Sequence, residues 1–233
     1  AVVTSDHRGN MGMHYTSVPN IMKVIEPLFL DELYLEFEKA YENKSKLQML
    51  LNRLAKIKIF DPACGSGNFL IIAYKKLRQL EMSIMQRIDS LSKEKTFQFS
   101  EIKLTQFYGI ELDDFAHEVA MLSLWLAEHQ MNLEFYKAFG RTSPSLPLQN
   151  GGNIVHGNAT RLDWEEVCPK NDGDEIYILG NPPYLGSSMQ NETQKQELED
   201  NCMGIKTFKN LDYIAIWFLK SSKYIKLINA KFA

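Results

Sequence analysis

The sequence predicts an α/β fold, a parallel sheet with helices on both faces. Two observations point there. From residue 56 onward, short apolar runs of strand length alternate with longer stretches of helical periodicity, an order that implies right-handed crossovers between parallel strands. Each cluster of chemically marked residues also falls where one of those runs stops, and in open parallel sheets ligands sit at the carboxyl ends of strands. The length of 233 residues suits one substantial α/β domain with a small appendage rather than two full domains.

Taken in order, Tyr15 to about Leu54 reads as helical, with Ile21, Val24, Ile25, Leu28 and Phe29 forming one stripe. Pro19 suits a first helical turn, whereas Pro27 is expected to kink or restart the helix. Lys56 to Phe60 is the first strand and runs straight into Asp61, and the turn Pro62 to Gly67 follows. A helix follows, carrying Phe69, Ile72, Ala73, Leu77, Leu80 and Ile84 on one face. Residues 86–101 look like a polar surface insertion, and Phe107 to Leu112 is the second strand. Phe115 to His129 is a nearly all-apolar helix, and residues 140–152, rich in Pro, Ser and Gly, form a loop. Asn153 to Gly157 and Glu175 to Leu179 are strands three and four. A polar stretch, 186–210, precedes a helix with Leu211, Ile214, Ala215, Phe218 and Ile225 on one side. The last residues, Ala230 to Ala233, look like the opening of another strand, and Ala1 is not a methionine, so both ends look cut.

Composition narrows the function classes. No uninterrupted apolar stretch is long enough to span a bilayer, and no signal peptide opens the chain. Cys64, Cys168 and Cys202 lie far apart without a CxxC pair, which supports neither a disulfide framework nor a zinc site and suits a reducing cytoplasm. The formal net charge of -3 is unusual for a protein that holds nucleic acid by itself.

Three clusters carry chemistry. In Asp61-Pro62-Ala63-Cys64-Gly65-Ser66-Gly67-Asn68-Phe69, Gly65 and Gly67 allow a tight turn and close backbone approach to a ligand. The helix behind them offers free amides to an anion. Glu111, ending the second strand, is placed to accept both hydroxyls of a ribose. Asn181-Pro182-Pro183-Tyr184 is the most specific signal: two prolines cannot continue a sheet, and they stiffen the backbone. The Asn181 side-chain oxygen and the Pro182 carbonyl are acceptors suited to the two hydrogens of a planar amine, with Tyr184 able to stack on the ring that bears it.

The order His14-Tyr15-Thr16, Asp61 to Phe69, Glu111, Gly157-Asn158, Asn181 to Tyr184 resembles the γ-class amino-methyltransferases, bacterial enzymes acting on adenine N6. The wording of Gly109 to Gln130, Gly157 to Trp164 and Gly180 to Gly186 looks especially like the MmeI-like fused restriction-modification enzymes. The resemblance implies a Rossmann-like class I S-adenosylmethionine-dependent methyltransferase, C-terminally incomplete. Residues 1–55 would then be an N-terminal helical extension closing over the cofactor, and 56–233 the catalytic core. It implies that Tyr15 and Thr16 close over the methionine end of the cofactor. Asp61, Ala63 and Gly65, within the turn that includes Cys64 and Gly67, would hold its amine and carboxylate. Glu111 would take the ribose, with Leu112 beside the adenine ring. Asn158 stands where many relatives place an aspartate that bonds the adenine amine. Asn181, Pro182, Pro183 and Tyr184 make the catalytic turn, and Asp212 and Tyr213 fall near the next motif, beside the target base.

The implied partner is double-stranded DNA, held through a target-recognition domain missing from this chain, which would also account for the acidic balance. The isolated chain is then expected to bind cofactor weakly and not to methylate DNA sequence-specifically. A protein-glutamine methyltransferase, an RNA-adenine methyltransferase, or a cofactor-binding fragment without catalysis are alternatives. No metal is expected: His117, His129 and His156 read as isolated surface or core histidines. Trp125 and its neighbours read as core, Cys64 as a small buried side chain, and Lys75-Lys76-Arg78 and Lys220 to Lys231 as solvated helix faces. Lys206 and Lys209 are candidates for phosphate contact.

Overall fold

A computed structural model describes residues 16–92, 99–140, 152–226 and 229–233 of the chain. Five strands form one sheet: β1 (Ile57–Asp61), β2 (Phe107–Glu111), β3 (Asn153–His156), β4 (Glu175–Ile178) and β5 (Ala230–Phe232). Every neighbouring pair is parallel, in the order β3-β2-β1-β4-β5. The order reverses between β1 and β4, so a crevice opens above the carboxyl ends of those two strands. This is the Rossmann-like arrangement. β1 is buried at all five positions, as a central parallel strand covered on both faces should be. Its one lysine, Lys58, is accommodated because the amine reaches Pro169 O at 2.7 Å and Asp174 at 2.6 Å.

One face is covered by α1 (Val18–Ile25), α2 (Asp31–Ala40), α3 (Lys44–Leu54), α4 (Asn68–Leu91) and α5 (Asp114–Phe139). Ile21, Ile25, Phe29 and Leu33 share a core there with Ile57, Ile59, Leu70 and Ala73. The other face is covered by α6 (Trp164–Val167), α7 (Glu192–Asn201) and α8 (Ala215–Tyr224). Phe60, Ile110, Ile176 and Ile178 meet Trp164 and Trp217 on that side. Among the described residues no helix is long and apolar enough to cross a membrane.

At Pro27 the α-helix is interrupted, as expected: α1 ends at Ile25, a π turn spans Glu26–Leu30, and α2 begins at Asp31, since a wider turn tolerates the missing N–H. Several other elements depart from expectation for identifiable reasons. α4 runs on to Leu91, taking in residues read as insertion, because Met85 and Ile88 extend its buried stripe. Arg78 is no solvated residue. It is buried, and its guanidinium reaches Tyr74 Oη, Asn132 Oδ1 at 3.1 Å and Glu81 at 3.3 Å. Glu81 in turn accepts from Ser100 Oγ at 2.6 Å and the amide of Glu101 at 2.8 Å, which pins that segment to α4.

α5 extends ten residues past His129, to Phe139. It buries only Ala116, Ala120, Leu124, Ala127, Met131 and Phe135, while Leu122, Leu126 and Leu133 are exposed. Trp125 is only partly buried and stacks on His129. α8 starts later than its pattern suggested and turns Ile216, Trp217, Ser221 and Tyr224 inward, leaving Phe218 54% exposed. Lys220 is also half-buried, donating to Leu162 O at 2.7 Å. The predicted loop at 140–152 falls mostly outside the described residues.

Arg53 fastens the N-terminal helices to the sheet. It donates to both Glu175 oxygens, at 2.9 and 2.7 Å, and also reaches Glu36 and Glu32. Glu175, at the start of β4, is 8% exposed, and Tyr177 Oη donates to it as well. Removing one partner of a largely buried pair strands the other charge. Arg53→Ala should therefore lower unfolding free energy by about 3 kcal/mol. Arg53→Lys should restore only part, lacking the two-pronged geometry. Urea unfolding midpoints at pH 7 check both.

Candidate active site

The turn after β1 is shaped by two glycines. Gly65 and Gly67 have φ of 54° and 83°, left-handed values that strain any residue with a β-carbon. Gly67 leads directly into α4, so that helix presents its first amides beside the turn. Cys64 is buried, and its Sγ lies where a β-carbon on Gly109 would intrude at 2.9 Å. The glycine in β2 therefore makes room for the turn to seat on the sheet. The thiol is raised well above its ordinary range by burial and by the Asp61 and Glu111 carboxylates, which disfavours a thiolate nucleophile.

Asp61, the last residue of β1, is 1% exposed. Its Oδ1 accepts from the Ala63 amide at 3.0 Å, and its Oδ2 is buried without a partner. Burial, with a smaller push from Glu111, raises its carboxyl to about 8 despite the Ala63 amide. A buried acceptor lacking a donor is costly. A cationic ligand group would relieve that cost.

Glu111 reaches back over the same turn. Its two oxygens accept from the amides of Gly65 at 2.7 Å and Asp113 at 2.8 Å, which leaves further lone pairs for hydroxyl donors. Leu112 beside it is 61% exposed. The Gly157 amide donates to Glu111 O at 2.8 Å, which brings Asn158 to this edge of the site. Asn158 Oδ1 already accepts from the amide and hydroxyl of Thr160, at 2.9 and 2.8 Å, and its Nδ2 donates to Glu197 at 2.8 Å.

The chain leaves β4 through Gly180, where a β-carbon would collide with Asp61 Oδ1. The diproline turn is thereby held against the end of β1. Asn181 is exposed, and its Nδ2 donates to Thr16 Oγ1 at 3.3 Å. Asp61, Ala63, Gly180, Asn181 and Pro182 line one pocket of about 160 Å³, with Trp217 and Phe232 in its wall. Trp217 also ties its helix to the turn, donating to Pro62 O at 3.2 Å. Beyond Pro183, Tyr184 is 54% exposed. The next amide, Leu185 N, donates to Asp212 Oδ1 at 2.8 Å, and Tyr213 N donates to Leu185 O at 3.0 Å.

Thr16, Asp61, Ala63, Asn181 and Pro182 thus meet at one place, with the Cys64–Gly67 turn and Glu111 adjoining it. Tyr15 lies outside the described residues. Glu197, Gln190 and Trp217 were not singled out from the sequence. Gln190 Nε2 donates to the carbonyls of Leu185 at 2.9 Å and Leu211 at 3.0 Å. His117 and His156 have hydrogen-bond partners of the kind expected of surface or core histidines: their Nε2 atoms face the carbonyls of Ile154 and Leu112 at 3.2 and 3.0 Å. Asp114, His117 and Glu118 bring ligand-type atoms within 4.8 Å of one another, the two acids exposed.

Known proteins of similar sequence and fold give the family. The family described as "MmeI, DNA-methyltransferase domain" matches residues 37–233. DNA methyltransferase A of Bacillus subtilis (strain 168) is 52% identical over 234 residues, covering 100% of this chain and 26% of that protein. The type II restriction enzyme and methyltransferase RM.Eco57I of Escherichia coli is 25% identical over 205 residues, 79% of this chain and 20% of its own length. The solved structure of the Type IIL restriction-modification enzyme MmeI in complex with DNA superposes with a TM-score of 0.87 at 38% identity, covering 99% of this chain and 31% of that one. The chain spans between a fifth and a third of the length of these relatives. It belongs to the family of MmeI DNA-methyltransferase domains.

Proposed function

We propose that this chain binds S-adenosylmethionine above the carboxyl ends of β1 and β2 and methylates the N6 amine of adenine in duplex DNA, as the modification part of a restriction-modification system. The observation that carries the reading is the shared pocket. Asp61, whose Oδ2 is buried without a partner, and the exposed asparagine-diproline turn line the same small space. Family membership and the likeness to an enzyme solved with DNA support DNA as substrate.

The residues fit such a cofactor. Asp61 offers an acceptor to an ammonium, and the Gly65–Gly67 turn with the first amides of α4 suits a carboxylate. Glu111 keeps lone pairs for ribose hydroxyls, and exposed Leu112 offers an apolar surface to the adenine ring. When bound, the cofactor supplies an electrophilic methyl group on a sulfonium. The chain's part is orientation. Thr16 takes one N–H of the Asn181 amide, so Asn181 Oδ1 remains to accept from the target amine, and Pro182 O takes its second hydrogen. Held out of the ring plane, the nitrogen regains its lone pair, and no base need remove a proton first. The exposed Tyr184 ring stacks on the base, which must be flipped from the duplex to be reached. Duplex contact comes mainly from a recognition region beyond these residues, with Lys206 and Lys209 as phosphate contacts after the turn. The buried thiols suit the cytoplasm.

Asn181→Ala should abolish tritiated-methyl transfer, by at least about a hundredfold, in a protein carrying this segment with its recognition region, while cofactor affinity stays near the unaltered value. Duplex DNA should be the acceptor in that assay. RNA or protein accepting in its place would contradict the substrate assignment.

Asp61 gives a pH dependence. Its folded value lies far above the ordinary carboxylate range, so the free chain holds it neutral between about pH 4 and pH 8. Docking an ammonium against it releases a proton. Cofactor affinity by calorimetry should therefore rise with pH, by up to about tenfold per unit below pH 8, and flatten above it. Asp61→Asn should bind more weakly and lose the slope. The same sign makes that variant the more stable one: the raised value removes stability from the unaltered chain as pH climbs from 4 to 8. A higher Tm for Asp61→Asn at pH 8 than for the unaltered chain, with the gap closing toward pH 4, is the expected result.

A further inference from the structure

Glu197 lies on α7, in a stretch that reads as uniformly polar, yet it is 5% exposed. Its Oε1 accepts from Asn158 Nδ2 at 2.8 Å and from Arg161 at 2.9 and 2.7 Å. Its Oε2 accepts from Tyr213 Oη, whose proton is held the more firmly for burial and for that carboxylate. One carboxylate therefore joins the loop after β3, α7 and the segment before α8. Each attachment continues toward the site. Asn158 stands next to Gly157, whose amide meets the Glu111 carbonyl at 2.8 Å. Tyr213 N donates to Leu185 O at 3.0 Å, one residue past the catalytic turn, and Leu185 N is fixed by the neighbouring Asp212 at 2.8 Å.

Burying a carboxylate gains little stability over an apolar residue even when its partners are good. What such a group does well is fix the relative positions of the segments that donate to it. Here those segments flank the proposed ribose and adenine subsite on one side and the proposed target-base turn on the other. The connection is short and consists of hydrogen bonds with one geometry each.

We propose that Glu197 is a positioning residue that couples occupancy of the cofactor's adenosine subsite to the ordering of the turn that receives the target base. The inference rests on the cofactor reading given above. When the Gly157–Asn158 loop is held by a ligand, Asn158 and Arg161 fix the Glu197 carboxylate. That carboxylate fixes Tyr213, and Tyr213 fixes Leu185. The turn is then ordered before a base arrives.

Amide hydrogen exchange on this chain, with and without saturating S-adenosylmethionine, tests it. In the unaltered chain the cofactor should slow exchange of the turn amides at residues 63–67, and also of Leu185 and Tyr213, the latter pair by at least about fivefold. In Glu197→Gln, protection at 63–67 should persist while that at Leu185 and Tyr213 falls away. Tyr213→Phe, which removes only the hydroxyl and keeps the ring's packing, should do the same. It serves as the test should Glu197→Gln fail to fold. Combining the two should cause no further loss, since they break one link.

A merely structural role predicts lower Tm with the ligand-induced protection intact. That outcome overturns the proposal, as does an unaltered chain protected at 63–67 but not at Leu185 and Tyr213. Absence of protection everywhere, with no heat of binding, would instead sink the cofactor reading on which it stands.

Discussion

Between Asp61 and Gly180 there is no room for a β-carbon, and that contact organises the rest of the site. The two residues are far apart in the chain and meet because β1 and β4 are neighbours at the point where the strand order reverses. β1 delivers a carboxylate to its own end, and β4 delivers a backbone turn to the same height. Any side chain at 180 would push the diproline turn away from the carboxylate and break the pocket into two surfaces. The restricted residue is thus the glycine before the turn. The turn's prolines then set a direction that the glycine has made possible.

The same contact explains why the Asp61 carboxyl stays neutral far above the ordinary carboxylate range. Packed beneath Gly180 and the Pro62–Gly67 turn, its Oδ2 has neither solvent nor a donor, and burial dominates its shift. The fold tolerates this because the surroundings are over-determined. Cys64 locks the turn into the gap at Gly109, Trp217 holds Pro62 from the opposite face, and Arg53 clamps the start of β4. A site that keeps an unsatisfied acceptor ready for a ligand is less stable than it need be, the trade expected where binding groups are arranged in advance.

The parts of the molecule that the sequence made legible are those in which residue type alone restricts the backbone. Glycines at 65 and 67, the proline pair at 182 and 183, and strands ending in Asp61 and Glu111 announce themselves because few conformations suit them. The parts that were hidden depend on pairing across long distances. Arg78 and Glu81 look like surface charges on a helix until Asn132 and the Ser100–Glu101 segment are seen to reach them. Glu197 sits in a helix with almost no apolar periodicity and is buried only because Asn158, Arg161 and Tyr213 converge on it. Periodicity is also silent where nearly every position is apolar: α5 buries a stripe that is half alanine and leaves Leu122, Leu126 and Leu133 outward. On α8 the pattern read from Leu211 began four residues before the helix itself does, which rotated the expected face and sent Phe218 to the surface.

The central claim is that the carboxylate at the end of β1 and the turn after β4 address one ligand from two sides. Nuclear Overhauser contacts from S-adenosylmethionine carrying a 13C-labelled methyl, bound to this chain, examine it most directly. Contacts from that methyl to the side-chain amide of Asn181 and to Thr16 are the predicted result. Contacts confined to Leu112 and His156, with none to residue 181, would put the methyl at the wrong end of the crevice and contradict the account.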